Sequence, residues 1–317
     1  MKLLVIFLIF LISVPIFSKE NPLIIDTHVH YISNEISQIF PVIPPTSLEE
    51  IIQKMDEKNV SKSFVLSFAY MLRYTDQEKR LEYTQRENNL LAEGIKKYPG
   101  RLIGFCSFPF EEEWALDEIK RCHEIGLKGI KLHLDNNGID LADARHAEKY
   151  ALIYAEAAKL RMVLLVHPYI NNYASLIGFL GTSIFGSNPM GPTTPVIIAH
   201  ALGAQYRMLF DLTLFSPPEL IKNLYIDISA TFDEFQSAPI SLRQELVWYL
   251  KNPYSNSDNI LFASDFSGWD VNPNILDAYD ASVLGEYGFS PEEKVKILGT
   301  NAMELINFMD LRSHPEY

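Results

Sequence analysis

Short runs of apolar and β-branched residues recur along the chain, over Pro22–His28, Ser63–Phe68, Leu102–Phe108, Gly129–Leu134, Met162–His167, Val196–Leu202, Leu224–Ser229 and Ile260–Phe266. Their length and their β-branched character predict eight buried strands. Between them lie segments with apolar positions at helical spacing, including Ser47–Glu57, Arg80–Tyr98, Trp114–Ile125, Ala142–Leu160 and Arg243–Leu250. Ser47 with Glu50 has the form of a capping box. Ser290, Pro291 and Glu293 predict a second helix start, ahead of Lys294–Phe308. Eight alternations of strand and helix predict an α/β fold of the (β/α)8 TIM-barrel type as one domain over residues 22–310. An open doubly wound sheet is the alternative, because periodicity does not show closure.

Composition bounds the rest. The 317 residues are 48% hydrophobic and 12% aromatic, enough for one large core. A net charge of -13, from 40 acidic and 27 basic residues, repels polyanions overall and argues against nucleic acid as a partner. Lys2, the apolar run Leu3–Ile12 and then Ser13, Pro15 and Ser18 have the layout of a secretory signal peptide over residues 1–18. The expected location is therefore exported, periplasmic or secreted. An uncleaved membrane anchor is the rival, because Ile16 and Ser18 are not the favoured alanines, but Pro15 interrupts a run already short of about 20 residues. Cys106 and Cys122 sit in apolar or helical contexts and are expected to be buried, reduced thiols.

In a parallel barrel the chemistry gathers at the carboxyl ends of the strands. The first strand ends Asp26-Thr-His-Val-His30, where alternation points His28, His30 and Asp26 to one side, so that the two imidazoles can chelate one ion. Alone, His-x-His is a weak signal. The fifth strand ends in His167, the sixth in His200, and the eighth delivers Asp265. A single such histidine is more often a satisfied core residue, and a single aspartate a helix cap. Four imidazoles and a carboxylate at strand ends call for a common cause.

The segments Asp26-Thr-His-Val-His30, Val166-His-Pro168, Ala199-His-Ala-Leu-Gly203, Ala263-Ser-Asp-Phe266 and Gly299-Thr-Asn-Ala302 resemble, in this order, the amidohydrolase-related family, also called amidohydrolase 2. The family includes metal-dependent hydrolases and aminocarboxymuconate-semialdehyde-type decarboxylases. The resemblance runs from about Ile24 to Leu305. It implies that His28, His30, His167 and Asp265 bind one divalent ion, and that His200 lies beside it as an acid/base or orienting group. This donor set suits Zn2+, with Mn2+ as the alternative. Such an ion lowers the pKa of a bound water from about 15.7 toward roughly 7, and Asp265 can then take and return a proton.

Lys131 and His133 share the inward face of the fourth strand, where a buried Lys is costly unless paired. Three readings stand: a carbamylated Lys131 bridging two ions, a substrate-carboxylate site at Lys131 or His133, and a purely structural pair between Lys131 and Asp26 or Asp227. On the seventh strand, Asp227 and Ser229 either orient the histidines or merely close hydrogen bonds, and the latter is slightly favoured. Phe68, Tyr70, Phe108, Tyr169 and Trp269 can line a pocket, although loop packing is commoner for any one of them. A loop over Asn171–Pro195 is expected to cover the site and set specificity.

The leading expectation is a metal-dependent hydrolase using an activated water on a small amide, lactone or ester. The alternative is a metal-dependent non-oxidative decarboxylase, which needs a cation for the substrate carboxylate, with Lys131 as the candidate. A barrel that has lost catalysis is disfavoured by the presence of all five strand-end residues. The partner is a small-molecule substrate, and the sequence is compatible with a homo-oligomer.

Overall fold

The computed structural model describes residues 23–185, 193–209, 221–229, 239–251, 257–266 and 289–310. The expected signal peptide and Trp269 lie outside them. Eight parallel strands follow one another around the sheet in chain order: β1 (Ile25–Tyr31), β2 (Lys62–Ser67), β3 (Leu102–Ser107), β4 (Gly129–His133), β5 (Val163–His167), β6 (Val196–Ile198), β7 (Leu224–Asp227) and β8 (Ile260–Leu261). The two ends of the sheet meet. Thr27 donates its N–H to Phe262 O at 3.1 Å, His30 donates to Phe266 O at 2.8 Å, and Val29 bridges Phe266 in parallel. This seam makes the fold a (β/α)8 barrel and removes the open-sheet alternative.

Among the described residues the α-helices are α1 (Asn34–Ile39), α2 (Leu48–Glu57), α3 (Gln77–Ile95), α4 (Ala115–Glu124), α5 (Leu134–Asn137), α6 (Ala144–Lys159), α7 (Tyr173–Phe185), α8 (Ile240–Lys251), α9 (Pro291–Val295) and α10 (Asn301–Asp310). Both capping boxes form, at Ser47 with Glu50 and at Ser290 with Glu293. None of the described helices is long and apolar enough to cross a membrane.

Strand alternation creates two apolar layers. Outward residues such as Val65, Ile130, Leu132, Leu164 and Ile226 pack against Ile51, Ile119, Ile153 and Ala157 of the helices. Inward residues Phe64, Leu66, Phe105, Val163, Leu165, Ile197 and Leu261 fill the barrel, together with Leu305, Ile306 and Met309 of α10. Cys106 and Cys122 belong to the outer layer as free, buried thiols.

Three expectations need correction. Asn171–Pro195 is not one long loop, because the apolar stretch within it forms α7, with Leu176, Phe179 and Leu180 buried in the outer layer. The single helix expected over Lys294–Phe308 is instead α9, a π-helical turn over Lys296–Thr300, and α10. Ile297 O in that turn accepts from Phe262 N–H at 2.9 Å, and a Cβ on Gly299 would lie 2.3 Å from Leu23 O. Asn301 Nδ2 then donates to Ser257 O at 2.7 Å and Ile260 O at 2.8 Å. The Gly299-Thr-Asn-Ala302 segment thus ties the start of β8 to the helical layer.

The third correction concerns β1. Its register against β2 shifts between Asp26 and Val29, a bulge that breaks simple alternation. Ile25 joins the interior, and Asp26 does not join the imidazoles. Its carboxylate accepts from Ser264 N–H at 2.9 Å, from the Ser264 hydroxyl, and from His28 N–H at 3.2 Å.

Candidate metal centre

The strands deliver His28, His30, Lys131, Asp227 and Asp265 to one cluster inside the barrel. His28 Nε2 lies 3.2 Å from His30 Nε2 and 3.2 Å from Asp265 Oδ1, and His30 Nε2 lies 3.3 Å from the same oxygen. Lys131 Nζ is 3.1 Å from His28 Nε2. On the far side of its ring, His28 Nδ1 is 2.8 Å from Asp227 Oδ2. A carboxylate accepts, so Nδ1 carries the proton and Nε2 turns its lone pair to the cluster.

Burial, with the Lys131 charge beside it, drives the His28 pKa well below its usual value, and burial likewise lowers that of His30. Both rings are therefore neutral near pH 7. Burial raises the Asp265 carboxyl, but the neighbouring His28 and His30 outweigh it and hold the group well below the usual carboxylate range. Two imidazole Nε2 atoms and a carboxylate oxygen thus lie 3.2 to 3.3 Å from one another. Ligands about 2.0 to 2.2 Å from one ion are separated by roughly 2.9 to 3.5 Å when adjacent in tetrahedral or octahedral arrangements. The triangle has those edges, and its donor types suit a first-row divalent ion.

Backbone strain aims His200 and Asp265. β6 stops at Ile198, and His200, Ala201 and Leu202 take left-handed φ of 55°, 49° and 67°. Asp265 does the same at 57° after the two residues of β8. Non-glycine residues in this region cost of order 1–3 kcal/mol each and cluster at working sites. Asp227 supports the bend by accepting from His200 N–H at 3.0 Å, and His200 Nδ1 lies 2.9 Å from the Ser229 hydroxyl and 3.1 Å from Ser229 O. His28, His200 and Asp265 offer ligand atoms within 4.8 Å of one another.

His167 lies one ring further out. Its imidazole is 4.9 Å from that of His200 and stacks on His133 at 4.1 Å between centroids. Burial, with the His200 and Lys131 charges, lowers its pKa to about 3. His133 Nδ1 accepts the Asn136 N–H at 3.1 Å, and burial keeps the ring neutral, so its proton sits on Nε2. That nitrogen is a donor. Lys131 is fully buried, and among the described residues no carboxylate lies within ion-pair distance of it; burial lowers its pKa to about 8 against the opposing charges of Asp265 and Asp227. The direct pair with Asp26 or Asp227 is not formed.

Two groups that the sequence raised among alternatives gain definite neighbours. Asp227 holds His28, the His200 backbone and Ser229 together, a role that its inward phase on the seventh strand permitted but did not single out. Phe68 and Tyr70 flank His30, with ring centroids 5.4 Å and 6.4 Å away.

The family model described as Amidohydrolase matches residues 25–308. The chain belongs to this amidohydrolase 2 family. Solved structures share its barrel. A 2,6-dihydroxybenzoate decarboxylase from Rhizobium is 17% identical with a TM-score of 0.65, over 90% of this chain and 99% of that one. A 5-carboxyvanillate decarboxylase from Novosphingobium aromaticivorans, complexed with manganese and 4-hydroxy-3-methoxy-5-nitrobenzoic acid, is 18% identical with a TM-score of 0.68, over 90% and 96%. A Staphylococcus aureus protein assigned to the amidohydrolases is 23% identical with a TM-score of 0.67, over 90% and 99%.

Proposed function

We propose that this amidohydrolase-family barrel is a metal-dependent non-oxidative decarboxylase of a small aromatic carboxylate. The observation that carries this reading is Lys131: a buried ammonium 3.1 Å from His28 Nε2, at the donor cluster. Hydrolysis has no need of that cation, whereas a carboxylate entering a buried site needs one. Two of the similar solved structures are decarboxylases of hydroxylated benzoates, which supports the choice over the hydrolysis expected from sequence.

His28, His30 and Asp265 hold the ion in this scheme, and His167 and His200 close the ring of imidazoles around it. The residues suit Mn2+ or Zn2+, and the manganese in one of the similar structures favours the former. When bound, the ion supplies positive charge that orients an anionic substrate and stabilises charge on its oxygens. Lys131 compensates the substrate carboxylate, and the His133 Nε2–H donates to a substrate oxygen. In the reaction the bond between the ring carbon and the carboxylate breaks, its electron pair stays on the ring, CO2 leaves, and one proton replaces it. His200 is the acid/base group placed to deliver that proton, which solvent would replenish, while the ionised Asp265 would stay with the ion.

The test is CO2 release from 2,6-dihydroxybenzoate and 5-carboxyvanillate by manganese-loaded protein, beside a panel of esters, lactones and amides. CO2 release that is lost on chelation, and reduced at least 100-fold in Lys131→Met, is expected. Turnover confined to the ester, lactone or amide panel would overturn the reading in favour of hydrolysis.

A further inference from the structure

The rings at the barrel mouth form a continuous wall. Phe68 meets Tyr70 at 4.8 Å between centroids, Tyr70 meets His133 at 4.9 Å, and His133 stacks on His167 at 4.1 Å with an interplanar angle of 13°. The wall goes on through His200, His28 and His30, and returns to Phe68 at 5.4 Å. Three of its members carry no metal-binding role: Phe68, Tyr70 and His133.

Tyr70 adds a hydroxyl to the wall. It sits in a 3-10 turn, Ala69–Tyr74, outside the strands, yet it is only 3% exposed. Its N–H donates to Ser107 Oγ at 3.0 Å, and that hydroxyl donates in turn to Ser67 O at 2.8 Å, so the turn is pinned to the ends of β2 and β3. At the other end of the turn, the Tyr74 hydroxyl donates to Asn136 O at 2.6 Å, while Asn136 N–H donates to His133 Nδ1. One residue of α5 therefore fixes both the turn that carries Tyr70 and the tautomer of His133. The Tyr70 phenol, with an ordinary pKa of about 10, is a hydrogen-bond donor at neutral pH.

We propose that Tyr70 and His133 form a recognition subsite for a flat hydroxylated aromatic ring, with the Tyr70 hydroxyl and the His133 Nε2–H donating to its oxygens. The proposal rests on the decarboxylase reading for its ligand class, and it assigns specificity to a pair of rings preset by Asn136. Aliphatic acids would satisfy Lys131 but leave the ring faces uncovered. Unhydroxylated arenes would cover those faces but leave the donors unmet, a penalty that discriminates more strongly than missing apolar contact.

Binding can be read without turnover. Manganese-loaded protein is titrated with 4-hydroxy-3-methoxy-5-nitrobenzoic acid, followed by the absorbance of its nitrophenol, and with 3-nitrobenzoic acid as the unhydroxylated probe. Tyr70→Phe is expected to weaken the hydroxylated probe about tenfold and the unhydroxylated one less than twofold. Tyr70→Leu, which removes the ring, weakens both. In turnover the Tyr70→Phe loss falls on KM more than on kcat. Equal effects of Tyr70→Phe on the two probes, or failure of the wild-type protein to bind the hydroxylated probe, would overturn the subsite. Hydroxyl-dependent binding without CO2 release would leave the subsite standing and remove the decarboxylase reading. CO2 release indifferent to Tyr70 would do the reverse.

Discussion

Asp227 shows how one buried side chain organises several others. It accepts from His28 Nδ1 through one oxygen, and from the His200 N–H, the Ser229 N–H and the Ser229 hydroxyl through the other. It thereby selects the His28 tautomer that leaves Nε2 available, and it holds the left-handed turn at His200. Carboxylates of this kind typically contribute 10- to 100-fold to metal affinity. Asp227→Asn keeps the shape but loses the strong acceptor, so manganese affinity measured by chelator competition is expected to fall within that range. An unchanged affinity would reduce Asp227 to a structural residue. The candidate donors themselves were legible in the sequence because each ends an apolar run. What escaped was orientation: the β1 bulge separates Asp26 from His28 and His30, and no period-two argument contains a bulge. Strand spacing also treats His167 and His200 alike, whereas the left-handed backbone brings a ring nitrogen of His200 within 4.8 Å of the His28 and Asp265 ligand atoms.

Among the elements, the join between β1 and α3 carries a titratable strut. Ser33, the N-cap of α1, donates its N–H to Glu87 Oε1 on α3 at 3.2 Å. Burial raises the Glu87 pKa from 4.5 to about 7, against the lowering by Ser33. The folded protein then keeps a proton that the unfolded chain releases above about pH 4.5. Stability from this group is greatest below that pH and is lost as pH rises through about 7, by roughly 3 kcal/mol at most. Asp26, raised to about 7 by burial, contributes a decline of the same sign. Glu87→Gln keeps an acceptor for Ser33 and removes the charge, so the fall in urea-unfolding stability between pH 5 and pH 8 is expected to be roughly halved. A slope identical to wild type would mean that Glu87 is ionised throughout. Elements were read from sequence best where periodicity was long, as in α3 and α6, and worst where a tertiary contact cut a run short. β6 and β8 ended early because the chain turns left-handed to present His200 and Asp265, and the last helix carries a π-helical turn where Gly299 lies against Leu23.

At the scale of the whole molecule, the proposed ligands bridge the seam of the barrel. His28 and His30 lie on the first strand, and Asp265 follows the last, so their juxtaposition joins the two ends of the sheet. The backbone joint there is thin: β8 spans two residues, and the seam hydrogen bonds are Thr27 N–H to Phe262 O and His30 N–H to Phe266 O. Asp265 lies between those two acceptors in the chain. An ion held by both edges would therefore act as a cross-link, and its removal leaves two imidazole nitrogens and a carboxylate facing one another beside a short joint. At 100 times its dissociation constant an ion that binds only the folded state adds about 2.7 kcal/mol, worth a rise of roughly 4 °C in Tm for a chain of this size. The manganese-loaded protein should contain one ion per chain by elemental analysis and melt higher by that amount, and Asp265→Asn should lose both the ion and the shift. The distinguishing readout is local. Chelation should speed hydrogen exchange at the Thr27 and His30 amides well before the amides that join β3 to β4, because only the former lie across the cross-linked edges. If exchange at the seam is as slow without the ion as with it, packing and the seam hydrogen bonds suffice to close the barrel and the donors serve only the substrate.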